Sequence, residues 1–96
     1  FNFLSKTPKE IDKLIAARIR NIRRRRKISQ KRLSEKSGVS LGSVKRFESS
    51  GEISLISLTK IAIALDLENE LEGLFEHVPF LSIEEIINGE DEKTES

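Results

Sequence analysis

Gln30-Lys31-Arg32-Leu33-Ser34-Glu35-Lys36-Ser37-Gly38-Val39-Ser40 is the stretch on which the fold of this chain turns. Ser29, just ahead of it, caps a short helix over 30–37 that buries Leu33. Gly38 stops that helix, because a residue without a Cβ enters the left-handed conformation without strain. Val39 packs under the turn, and Ser40 caps the next helix, over 41–49. On that helix Val44 and Phe47 lie three apart on one face, while Leu41, Gly42, Lys45 and Arg46 fall outside it. The spacing predicts two short helices joined by a tight glycine turn.

Working upstream, Thr7-Pro8-Lys9-Glu10 spells a helix start, with Thr7 as N-cap, Pro8 in the first helical position and Glu10 completing a capping box. Ile11, Leu14, Ile15, Ile19 and Ile22 recur at helical spacing and are expected to point inward, with the helix ending near Lys27. Downstream, Ser49-Ser50-Gly51-Glu52 is a turn cluster. Ser54 then caps a helix expected to carry Leu55, Leu58, Ile61, Ala62 and Leu65 inward. Leu67, Leu71, Leu74 and Phe75 form the stripe of a last helix, ending around His77 to Pro79, where proline breaks it.

The expected fold is therefore all-α: a compact five-helix bundle over 8–77, followed by a tail over 78–96. Ser82-Ile83-Glu84-Glu85 is a second capping box ahead of Ile86 and Ile87, so the tail is expected to hold a helical turn or two, or an extended segment, before a polar, acidic and disordered end. There is no internal repeat and no long period-two alternation.

The net charge of +1 hides a strong asymmetry. Residues 1–46 carry 15 Lys and Arg against Glu10, Asp12 and Glu35, a net +12, whereas residues 47–96 carry Lys60 and Lys93 against 13 acids, a net −11. A basic half suits a polyanion, because each phosphate-bound Lys or Arg releases a condensed counterion; the acidic half should face away from it.

Several classes are disfavoured. The chain has no cysteine, no tyrosine and one histidine, so disulfides, zinc-thiolate sites and thiol nucleophiles are absent and no acid, base and nucleophile set is in sight. His77 reads as a helix-end residue, Glu84 and Glu85 as solvated surface, and there is no phosphate-binding glycine loop. No enzyme, cofactor or metal is expected. Without a run of roughly 20 apolar residues or a signal-peptide pattern, the expectation is a soluble cytoplasmic protein that does not touch membranes.

Residues from about Ile15 to Leu71 resemble the phage repressor and Cro class, also called the xenobiotic-response-element class, of helix-turn-helix regulators. The resemblance rests on Ile28-Ser29-Gln30, Leu33, Ser37-Gly38-Val39-Ser40, Phe47-Glu48, and Ile53-Ser54-Leu55 leading into Leu58, Ile61, Ala62 and Leu65. It implies a lambda-repressor-like fold that binds double-stranded DNA. By the same resemblance, Gln30, Ser40 and Ser43 contact phosphates, with Lys31 and Arg26 as further phosphate contacts. Leu41, Gly42, Lys45 and Arg46 project toward bases in the major groove. Arg46 is the best base reader, since its fork matches guanine O6 and N7, while Lys45 suits a phosphate. Leu41 and Gly42 replace the polar front of other members, which shifts specificity toward DNA shape. Arg23 and Glu48 match a family ion pair with a structural role.

The resemblance further implies a transcriptional regulator, a repressor, acting as a homodimer. A different class of reading is a protein-interaction subunit, such as the antitoxin of a toxin-antitoxin pair with autoregulatory DNA binding. Phe80, Leu81, Ile83, Ile86 and Ile87, with Val78, motivate it: they are more apolar than a free tail needs and are expected to bury against the chain's own core, a second copy or a toxin partner. Phe1, Phe3 and Leu4 are intramolecular candidates.

Overall fold

Among the described residues, four of the five helices begin at a hydroxyl side chain that accepts a hydrogen bond from the third helical backbone N–H. The computed structural model describes residues 5–77. Thr7 caps α1 (Pro8–Arg25), and the Glu10 side chain returns a bond to the cap backbone. Ser29 caps α2 (Gln30–Ser37), Ser40 caps α3 (Leu41–Ser50) and Ser54 caps α4 (Leu55–Ala64). Each such cap contributes about 1 kcal/mol by satisfying a donor that the helix cannot. The exception is α5 (Glu68–Glu72), which has no side-chain cap. No strand occurs among the described residues.

The core is assembled from every element up to the end of α4. Ala16 and Ile19 of α1, Leu33 of α2, Val39 of the turn, Val44 and Phe47 of α3, and Ile61 and Leu65 at the end of α4 form one buried cluster. Ile28, Ile53, Leu58, Ala64 and Leu67 pack around it. Fully burying one large apolar side chain is worth about 1.5–3 kcal/mol, so this cluster drives the fold. α1 packs chiefly on α3, α2 on both α3 and α4, and α5 on α4.

Three expectations are corrected. First, α1 does not bury the whole of its apolar stripe: Ile11 is 44% exposed and Leu14 and Ile15 are each 37% exposed. Its buried residues are Ala16, Ile19 and Arg23. Small Ala16 permits a close approach to α3, and the Asp12 backbone lies so near Gly51 that an added Cβ there would sit 2.8 Å from the Asp12 carbonyl carbon. The helix also stops at Arg25, and Lys27 takes a positive φ of 58°. Second, Leu55 points outward at 72% exposure because it is the first residue of α4, ahead of the turn that meets the core. Third, the last stripe does not form one helix to His77. Gly73 caps α5 after five residues, Phe75 takes φ 60°, and Leu74 and Phe75 are exposed.

The expectations for Phe1, Phe3 and Leu4, and for Val78, Phe80, Leu81, Ile83, Ile86 and Ile87, lie outside the described residues. Among the described residues no helix is long and apolar enough to cross a membrane.

Candidate nucleic-acid interface

The turn between α2 and α3 satisfies its own polar groups, which fixes the angle between the two helices. Gly38 sits at φ 77° and its N–H donates to the Ser34 carbonyl at 2.9 Å. The Ser34 hydroxyl donates to the Val39 carbonyl at 2.6 Å, and the Val39 N–H donates to Ser37 Oγ at 3.1 Å. Val39 plugs the core beneath. These bonds and the buried Val39 hold the turn in one conformation.

A polar clamp holds α3 from behind. Arg23 Nε donates to Glu48 Oε2 at 2.7 Å and Arg23 Nη2 to Glu48 Oε1 at 2.8 Å, a two-pronged pair from α1 to α3. Arg23 Nη1 donates to the Ile28 carbonyl at 2.7 Å, and Gln30 Nε2, at the start of α2, donates to Glu48 Oε1 at 3.1 Å. Both charged side chains are buried. Every oxygen of Glu48 and every nitrogen of the Arg23 guanidinium is thereby used, which is the condition under which a buried ion pair is tolerated.

What remains outside is basic and hydroxylic. On α3, Gly42, Lys45 and Arg46 are exposed, whereas Leu41 and Ser43 are half-buried. Ser40 Oγ accepts from the Ser43 N–H at 3.2 Å while its own hydroxyl donates to Ser43 Oγ at 2.9 Å. The two serines therefore cap the helix together at its positive end. Lys31 is exposed at the start of α2. Gln30 commits one of its two amide hydrogens to Glu48. Arg26 is placed otherwise: its Nη1 donates to the Leu65 carbonyl, tying the end of α1 to the end of α4.

One part of this face was missed in the sequence. Ser43, Arg46, Glu52, Ile53, Ser54 and Ser57 line a groove of about 280 Å³ between α3 and the N-terminus of α4. The helix start at Ser54 therefore opens beside Arg46, and its free N–H groups belong to the same face. Its signal was the Ser54 cap, which was read only as a boundary. The roles of Gln30 and Arg26 in holding other elements had no sequence signal.

A family model described as helix-turn-helix matches residues 19–68, from the middle of α1 to the start of α5. The chain belongs to that family. It is a DNA-binding helix-turn-helix regulator of the phage repressor and Cro class. No curated protein and no solved structure matches it. Both α2 and α3, with the glycine turn between them, lie within the matched residues.

Proposed function

We propose that this regulator reads double-stranded DNA sequence-specifically, as a repressor, by placing α3 in the major groove. The observation that carries this is the one-sidedness of α3. Val44, Phe47 and Glu48 are buried behind it, the last in the Arg23 clamp, while Gly42, Lys45 and Arg46 project from the opposite side of a helix that cannot rotate. Arg46 reads a guanine edge, Leu41 meets a thymine methyl, and Gly42 brings the backbone close to the groove. Gln30, Lys31, Ser40 and Ser43 hold the phosphates that flank it. Arg26 joins them only by giving up its bond to Leu65. The net +12 of residues 1–46 supplies the nonspecific attraction.

Two copies acting together would set two α3 helices about 34 Å apart, one turn of the duplex. Selection of bound duplexes from a random pool tests the whole reading. Enrichment of a pseudo-palindrome with half-sites at that spacing is expected. Binding without enrichment would remove sequence-specific readout, and binding insensitive to salt would remove the phosphate contacts.

A further inference from the structure

Among the described residues, α1 carries two faces, and only one packs extensively against another helix. At about 100° per residue, Ala16, Ile19 and Arg23 define the buried side, while Leu14, Arg25, Arg18, Ile11, Ile22 and Ile15 fall together in a separate arc of roughly 100°. Ile11, Leu14 and Ile15 are exposed, Ile22 is half-buried, and Arg18 and Arg25 are exposed. The arc is an apolar seam along most of the helix, about 16 Å from Ile11 to Ile22 at 1.5 Å per residue, punctuated by two positive charges. Among the described residues, the extensive packing of α1 is with α3, on the other arc.

We propose that this seam is the docking site of the chain's own segment 82–87. Three observations on the molecule select that occupant. The segment Ser82-Ile83-Glu84-Glu85-Ile86-Ile87 opens with a capping box, and Ile83, Ile86 and Ile87 stand at i, i+3 and i+4, the spacing of one helical face. Its charges are complementary: Glu84 and Glu85 flank the isoleucines, and Glu90, Asp91 and Glu92 follow, while the charges on the seam are Arg18 and Arg25. The path is also short. Arg26, one turn beyond Ile22, is bonded to the Leu65 carbonyl, so the chain enters α5 beside the Ile22 end of the seam. From Glu68 the chain runs ten residues to His77, residues 78–81 add a reach of up to about 14 Å, and six helical residues cover about 9 Å, close to the rise from Ile15 to Ile22. The inference is independent of what α3 reads.

The absence of native cysteine makes the test clean. Asn21→Cys, at the edge of the seam, is combined with Asn88→Cys, just past the segment, leaving every apolar side chain in place. A control pairs Asn88→Cys with Lys45→Cys on α3. With a short bis-maleimide at micromolar protein, the seam pair should form an internal link about tenfold faster than the control, since docking raises the effective concentration of its thiols. Ile86→Asp with Ile87→Asp in the same background should bring the rate down to the control's. Equal rates for the two pairs would overturn the proposal, as would covalent dimers in place of the internal link, which would give the seam to a second copy.

Discussion

Arg23 and Glu48 meet through two hydrogen bonds of 2.7 and 2.8 Å across 25 residues of sequence, and the same carboxylate holds Gln30 at 3.1 Å. One buried group thus sets the relative placement of α1, α2 and α3. Removing it strands a buried guanidinium and a half-buried amide. Glu48→Ala should cost about 3–5 kcal/mol, the usual penalty for half of a buried pair. At about 4–8 °C per kcal/mol for a domain this small, the melting temperature should fall by more than about 10 °C. Replacing both partners, Arg23→Met with Glu48→Leu, should recover most of that loss in a thermal melt. A single mutant that melts with the native protein would show that the clamp contributes no stability.

The two left-handed glycines should respond differently to a methyl group. Gly38 at φ 77° has nothing within 4 Å of the added Cβ, so Gly38→Ala should cost only the conformational term of about 1–2 kcal/mol. At Gly51, φ 83°, an added Cβ would sit 2.8 Å from the Asp12 backbone, so Gly51→Ala adds a clash that α1 must move to relieve, a further 1–3 kcal/mol or so. Urea midpoints measured side by side decide it, and equal losses would mean that the α1–α3 crossing is not tight at that point.

Gly42 is the opposite case, since it lies inside α3 with open space around it. Gly42→Ala should raise stability by about 0.5–1 kcal/mol, because glycine is a poor helix residue. If the backbone there lies against the groove, the same change lowers DNA affinity. Stability from denaturation and affinity from a titration should therefore move in opposite directions; an unchanged affinity would place Gly42 away from the duplex.

Lys45 and Arg46 are adjacent and both exposed, and their neutral variants should separate base readout from phosphate contact. Arg46→Ala should lose about 1–3 kcal/mol at the preferred site and relax the choice of one base pair. Lys45→Ala should weaken all sequences alike and make the log–log salt slope shallower by about 0.9. Exchange of these two behaviours would reverse the assignment.

The local signals of this fold were legible because they are chemical and short in range. Hydroxyls at Thr7, Ser29, Ser40 and Ser54 mark four helix starts, and Gly38 marks the turn, without any knowledge of the tertiary structure. The direction of the α1 stripe was not legible. Periodicity reports that a helix has an apolar side, and here the side that meets α3 is defined instead by small Ala16 and charged Arg23, two residues that a hydrophobic count passes over. Leu55 was misjudged for a related reason, since it keeps the period of α4 but precedes the turn that touches the core. Within the candidate site, the basic residues and the serines of α3 are visible in the sequence. The bonds from Arg26 to Leu65 and from Gln30 to Glu48 are not, since they depend on which atoms the fold happens to bring within reach.

The Arg23–Glu48–Gln30 clamp is complete within residues 23–48, but the core on which its helices pack is not: Ile61 and Leu65 of α4 belong to that core. A nascent chain that has left the ribosome only as far as Gly51 holds every polar partner of the clamp but lacks the α4 side chains that complete the core. Synthesis of some fifteen further residues, about a second or so at cellular rates, supplies them. The α2–α3 pair is therefore completed by residues that lie outside it, and its core closes only when the end of α4 arrives.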